Sequence, residues 1–332
     1  MINCSHIDDI NSNLLPSKTM KNSHMSTWIL ISTQNISALF LAIRPKHWTK
    51  NLLVYLVFFF TVGEAWSPDD LHSILMPLYK SSLAFVIFSI LSSGIYIVND
   101  ILDIQRDHKH PTKRLRPIAS GILPVTLAWI TATILISVGS TAAFVLEPLY
   151  GVIALTYVTT MTAYSVFLKR IIILDVFAIS GGFILRAITG AVVIQVPVSP
   201  WLYVCTGLGA LFIALCKRKS ELTIAGENAG LQRDTLQFYT ISLLEHLINI
   251  VTASVALSYI FYTFTATNLP DNHSMLFTIP FVIYGLFRYL YLTHTKNLGE
   301  NPEEIITNDI PLIITIVLWL IFTATILTIA RT

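Results

Sequence analysis

"NDILDIQRDHKHPTKRLRPIASG", residues 99–121, lies between two apolar runs, 81–99 and 123–145, each long enough to cross a bilayer. It holds Asn99, Asp100, Asp103 and Asp107, five bases (Arg106, Lys109, Lys113, Arg114, Arg116) and two histidines, His108 and His110. The rest of the chain makes that density unusual. Over 332 residues it is 54% hydrophobic and only 12% charged, against about 25% in soluble domains. Such a chain cannot cover itself with an ordinary charged surface, so it reads as an all-α polytopic membrane protein.

Nine stretches are apolar enough to span, near 49–65, 81–99, 123–145, 148–167, 171–194, 199–216, 241–264, 275–293 and 310–330. Residues 1–35 form a polar arm without the pattern of a signal peptide. Residues 36–332 read as one transmembrane domain, opening with a short amphipathic helix over 36–47 that Pro45 should end. The cysteines, Cys4, Cys205 and Cys216, make no paired motif, so neither a disulfide framework nor a zinc site is implied.

The bases set the orientation. With the N-terminus in the cytoplasm, 17 of the 21 lysines and arginines fall inside, two (Lys80, Arg331) outside, and two (Arg186, Arg288) within spans. That split supports nine spans, because a missed span would scramble the alternation. It places the polar loops 100–122 and 217–240 together on the cytoplasmic side, in an inner or plasma membrane, and the C-terminus outside.

If helix continues through "NDILDIQRD", Asp100, Asp103 and Asp107 fall within about 60° of one another. Like charges one turn apart repel, more so at a low-dielectric membrane edge. A divalent cation relieves this, and a sparse oxygen-ligand face suits Mg²⁺, whose shell substrate phosphate completes. The bases that follow suit a diphosphate leaving group, whose developing charge metal and cations take up. The bland alternative is a solvated, self-paired loop.

N-D-x-x-D-x-x-x-D after the second span resembles the first aspartate motif of the UbiA superfamily of intramembrane prenyltransferases, which have nine helices. "RPKHWTKN" (44–51), "HPTKRLRPIASG" (110–121), "YSVFLKR" (164–170), "LDVFAISGGFILRAITG" (174–190), "KRKSEL" (217–222) and "GENPEE" (299–304) are similar to its decaprenyl-phosphate phosphoribosyltransferase branch. The resemblance covers about residues 40 to 320. It implies transfer of 5-phosphoribose from phosphoribosyl diphosphate (PRPP) to a polyprenyl phosphate, feeding decaprenylphosphoryl-arabinose and cell-wall polysaccharide synthesis. It implies Mg²⁺ held by Asn99, Asp100, Asp103 and Asp107, with Asp100, Asp103, Asp107 and Arg116 catalytic. It also puts Lys46, Lys50, Asn51, Lys113, Tyr164, Lys169, Arg186, Lys217, Arg218 and Glu221 among substrate contacts.

One departure carries information. Aromatic prenyltransferases of the superfamily have a second D-x-x-x-D between helices six and seven, where this chain has "CKRKSELTIAGENAG" with Lys217 and Glu221 at that spacing. A basic site suits a phosphate that lysine can bind directly, although the two could simply be a surface helix pair. Arg186 interrupts an apolar, glycine-rich span; a charge at such depth faces the bundle interior, either toward a phosphate or paired with Asp175. Lys46, Lys50 and Asn51 could equally be interface anchors. Arg288 reads as a snorkelling base, and His108 and His110 as loop residues.

In the expected reaction the C1–O bond of PRPP loosens toward an oxocarbenium-like ribose, and a lipid phosphate oxygen attacks from the opposite face. That oxygen is already anionic, so no general base is demanded and catalysis is positioning and charge stabilisation. The alternatives are an aromatic prenyltransferase using a prenyl diphosphate and, from another class, a membrane transporter. The missing second acidic motif opposes the first; the absence of a clear internal repeat opposes the second. No nucleic-acid partner is expected, and the sequence leaves a homo-oligomer open. A cysteine placed in 66–72 or 268–272 of a cysteine-free background should react with an impermeant reagent from outside intact cells, and one in 108–114 or 224–230 should not. External labelling of 108–114 would overturn the topology.

Overall fold

The computed structural model of the chain describes residues 35–110, 112–197, 199–226, 230, 233–266, 269–270, 272–295 and 302–331. The polar arm through residue 34, Pro111, Lys296 and residues 299–301 of "GENPEE" lie outside the described residues. Eight helices are long and apolar enough to cross a membrane: α1 Leu71–Leu102, α2 Val125–Leu146, α3 Pro148–Val166, α4 Leu174–Ile194, α5 Pro200–Ala225, α6 Ile241–Thr265, α7 Ile279–Thr295, whose span begins with the 3₁₀ turn Ser274–Thr278, and α8 Ile310–Arg331. Helix is the element that satisfies every backbone polar group within one segment, as a hydrocarbon surround demands. The chain is thus an integral membrane protein, all-α among its described residues.

Two apolar cores meet at α4. One joins α1 to α2, α3 and α4 around Phe88, Leu91, Tyr150 and Tyr157. The other joins α4 to α5, α6 and α7 around Phe212, Leu215, Ile248 and Leu292. A helix over residues 35–42 lays Ala38 and Ala42 on the end of α1 and the start of α2 and leaves Ile36, Phe40 and Leu41 at least 60% exposed, as an amphipathic helix at the bilayer surface should.

The expected first span, 49–65, is not a long helix. It folds as a 3₁₀ stretch, Pro45–Val54, running into one and a half turns of α-helix, Tyr55–Phe60. At about 2.0 and 1.5 Å rise per residue the pair still extends roughly 29 Å, close to the hydrocarbon thickness. The described residues therefore hold eight long helices and this broken segment rather than nine regular ones. Its place between α1 and α4 explains the irregularity. A Cβ at Gly190 of α4 would sit 2.2 Å from Val54 O, so the two backbones touch, as small residues permit in membrane bundles. From the segment, buried Asn51 donates to Ser89 Oγ (3.0 Å) and Ser92 Oγ (3.3 Å) of α1.

Two boundaries differ from the sequence reading in ways that matter for the site. α1 starts at Leu71, where the Asp70 carboxylate accepts from His72 N. α5 runs to Ala225, nine residues past expectation, and so carries Lys217, Arg218 and Glu221 on helix. Gly190→Ala should force the 3₁₀ stretch off α4 at a cost of about 1–3 kcal/mol. An unchanged thermal unfolding midpoint in detergent for that variant would refute the close approach.

Candidate active site

The three aspartates do not lie on one uninterrupted helix. α1 ends at Leu102, Asp103 caps it, and a separate turn spans Ile104–Asp107. The break splits the cluster into two arms. In one, Asp100 Oδ1 accepts from Arg44 Nη2 (2.5 Å) and Arg116 Nη1 (3.1 Å), and the same Arg116 nitrogen reaches Asp107 Oδ2 at 2.7 Å. In the other, Lys169 Nζ lies 2.6 Å from Asp103 Oδ1 and 3.5 Å from Asn99 Oδ1. Asp100, Asp107 and Lys169 are all buried. Arg116 pairs Asp100 and Asp107 within the loop itself, as the bland reading expects, but both acids are buried rather than solvated, and Arg44 and Lys169 come from outside the loop.

Each of those bases comes from a different place. Arg44 takes a left-handed backbone (φ 52°) at the end of the surface helix. Its guanidinium rests over the Tyr96 ring one turn below Asp100. Arg116 follows a 3₁₀ turn, Lys113–Leu115, whose start is capped by His110: the ring Nδ1 accepts from Thr112 N and Lys113 N, both at 3.3 Å. His110 therefore shapes the loop. Lys169 sits in the 3₁₀ turn Leu168–Arg170 between α3 and α4.

A second charged cluster adjoins the first at the same end of the bundle. Asp175, fully buried in the first turn of α4, accepts from Arg218 Nε (2.8 Å) and from Tyr239 OH (2.9 Å), with Arg233 Nε at 3.7 Å. Arg218 Nη1 also holds Glu221 Oε2 at 2.6 Å, and Arg233 bonds the Tyr164 hydroxyl. Lys113 bridges the clusters electrically: burial pushes its ammonium pKa below the usual lysine value, Glu221 and Asp107 oppose that shift, and Arg116 and Lys217 add to it. Burial likewise raises Asp107, partly offset by Arg116. The Tyr239 phenol is pushed up to about 12 by burial first and by Asp175 next, so it stays protonated and donates.

The structure thus gathers Asn99, Asp100, Asp103, Asp107, Lys113, Arg116, Tyr164, Lys169, Lys217, Arg218 and Glu221 at one end of the bundle. It sets Arg186 apart. That guanidinium is buried within the bundle, giving Nε to Asn51 Oδ1 (2.7 Å), Nη1 to Gly182 O (2.7 Å) and Nη2 to Tyr157 OH (2.9 Å), beneath three aromatic rings. Its partner is Asn51, not Asp175, and Glu221 pairs with Arg218 rather than Lys217. Arg288 is held by Asp309 (2.9 Å) rather than snorkelling free. Lys46 and Lys50 lie within the 3₁₀ stretch. Sequence reasoning missed Arg44, Asp175, Arg233 and Tyr239 as site residues. Asp175 carried a signal, an acid inside an apolar span, and so did Arg44, the first residue of "RPKHWTKN".

Asn99 and the three aspartates present oxygen donors alone, the set a hard divalent cation takes. Each carboxylate meets its bases through one oxygen: Oδ1 of Asp100, Oδ1 of Asp103, Oδ2 of Asp107. In chemistry the residues fit Mg²⁺, although among the described residues no three acidic, His or Cys side chains converge as a ready-made metal cluster.

Residues 56–305 match the model of the UbiA prenyltransferase family. The chain is 32% identical over 268 residues to a decaprenyl-phosphate phosphoribosyltransferase of Mycobacterium tuberculosis, covering 81% of this chain and 87% of that one. It is also 32% identical over 296 residues to the enzyme of that name from Mycolicibacterium smegmatis, covering 86% and 91%. Its fold is similar to that of a UbiA homolog from Archaeoglobus fulgidus bound to GPP and Mg²⁺, with a TM-score of 0.67 at 17% identity over 88% of this chain and 99% of that one. If half-buried Lys113 serves an anionic ligand, inorganic diphosphate binding should weaken with rising pH below the ordinary lysine value of 10.5. Lys113→Arg should move that limb upward, because a guanidinium stays charged. Calorimetric titrations giving the same limb for both proteins would refute the assignment.

Proposed function

The chain belongs to the UbiA prenyltransferase family, and on that premise we propose that it transfers 5-phosphoribose from PRPP to a polyprenyl phosphate, releasing diphosphate. The observation that carries the reading is the basic second cluster. Where the aromatic prenyltransferases of the family hold a second acidic pair for metal, Glu221 is here bound by Arg218 in the field of Lys113, Lys217 and Arg233. A site so cationic favours a substrate that brings its own phosphate.

The residues divide the work as follows. Asn99, Asp100, Asp103 and Asp107 would hold Mg²⁺, which when bound supplies Lewis-acid neutralisation of the departing diphosphate. Arg116 and Lys169, which now neutralise carboxylates, are within reach of the same mouth and stabilise charge on the leaving group. Lys113, Lys217 and Arg218 orient a phosphate, the 5-phosphate or that of the lipid. Tyr164, held by Arg233, faces the ribose. The lipid phosphate is anionic at neutral pH, so positioning and charge stabilisation account for the rate without a general base. The mouth opens to the cytoplasm, where the nucleotide-like donor is found, and the lipid tail stays in the bilayer. Arg186, with Asn51 and Tyr157, shapes the interior beneath the site.

Purified protein given labelled PRPP, Mg²⁺ and a panel of polyprenyl phosphates and aromatic acceptors should label only the lipid phosphates. Asp103→Asn or EDTA should abolish the reaction while the protein stays folded; full activity of metal-free protein would remove the Mg²⁺ role. Lys217→Asp should lower apparent affinity for PRPP or for polyprenyl phosphate by roughly tenfold or more, since a charged hydrogen bond is worth about 1.5–3 kcal/mol. Kinetics within about twofold of wild type would place Lys217 outside the phosphate site, as exposed pairs contribute at most about 1 kcal/mol.

A further inference from the structure

The joint between α3 and α4 has an uncommon backbone. Ile173 adopts φ 70°, ψ −47°, and Leu174 N bonds back to Ile172 O at 2.8 Å. This is the positive-φ form of the γ-turn, which is rare, and it is rarer still for a β-branched residue. Such a conformation persists only when its surroundings over-determine it. Here the surroundings include one hydroxyl. Tyr239 OH accepts from Ile173 N at 2.9 Å and donates to Asp175 Oδ1 at 2.9 Å. The phenol is 3% exposed, so it serves the protein rather than a ligand.

The joint has Lys169 just before it and Asp175 just after it. Lys169 reaches back to Asp103 (2.6 Å), and Asp175 reaches out to Arg218 (2.8 Å), which in turn holds Glu221. Both charged clusters therefore take their relative placement from the geometry at Ile173. Tyr239 comes from the far side, at the end of the 3₁₀ stretch Asp234–Phe238 just before α6.

We propose that Tyr239 is a positioning residue of the phosphoribosyl-transfer site: its hydroxyl locks the strained Ile173 turn and thereby sets Lys169 and Asp175, and through them the aspartate and arginine arms, at their working separation. The inference rests on the reaction proposed above. A phenylalanine fills the same space but can neither accept from Ile173 nor donate to Asp175. Without the hydroxyl the turn relaxes toward negative φ and carries Lys169 with it. Misplacement of a binding group by about 1 Å costs up to a hundredfold in rate.

The test uses full-length protein in lipid nanodiscs. Tyr239→Phe should raise the KM for PRPP and lower kcat/KM by roughly ten- to a hundredfold, with a thermal midpoint close to wild type. Peptides covering 168–176 should exchange amide hydrogen faster. Ile173→Gly alone should be near wild type, because glycine adopts positive φ without strain. Added to Tyr239→Phe, it should restore most of the lost PRPP affinity, a rescue that a general packing role for Tyr239 would not give. Wild-type kinetics and wild-type exchange in Tyr239→Phe would overturn the proposal, as would a defect that Ile173→Gly leaves untouched. If the wild-type protein transfers no phosphoribose at all, the reaction assignment fails on its own. The exchange comparison still decides whether the hydroxyl locks the turn.

Discussion

The Arg218–Asp175 pair is the interaction on which the rest of the charged end of the bundle depends. Both side chains are essentially sealed from solvent, at 2% and 0% exposure, and lie 2.8 Å apart. Removing one member of such a pair leaves an uncompensated buried charge, typically at a cost of about 3–5 kcal/mol. That asymmetry makes the pair a strong constraint even though its net contribution is modest. It binds the start of α4 to the end of α5, and Tyr239 and Glu221 then attach to its two members. Because α4 belongs to both apolar cores, fixing its first turn fixes the two halves of the bundle against each other.

Around that anchor the site is built from opposed charges at short range. Asp100, Asp103 and Asp107 would repel one another near a low-dielectric slab. Arg44, Arg116 and Lys169 absorb that repulsion, each reaching in from a different segment. The arrangement holds acids and bases in place against one another, a preorganised set of charges. The acids sit at the end of α1 rather than along its apolar middle, where desolvation would be larger.

The interior below the site obeys a different rule. Arg186 is charged and buried, yet its partners are Asn51, a backbone carbonyl and Tyr157, with aromatic faces above it. Hydrogen bonds and ring quadrupoles replace a carboxylate there. Asn51 ties that network to Ser89 and Ser92, so one polar thread joins the broken first segment to α1 and α4. A regular helix packed less closely on Gly190 would carry Asn51 out of that position.

Much of this was legible in the sequence because it depends on local chemistry. Apolar runs report helices, since hydrocarbon admits few other backbones. The alternation of Lys and Arg puts loops 100–122 and 217–240 on one side. The aspartate spacing, with the basic "KRKSEL" in place of a second acidic motif, points to a phosphate-bearing substrate. What tertiary structure alone decided are the pairings. Arg186 meets Asn51 across 135 positions, Arg218 meets Asp175 across 43, and Tyr239 meets Ile173 across 66. No periodicity encodes such partners, because they follow from which helix faces pack together. The 3₁₀ form of the first segment was hidden for the same reason. Its second half is apolar enough to read as a span although Lys46, Lys50 and Asn51 lie in its first half, and the contact with Gly190 on a distant helix brings its backbone against α4.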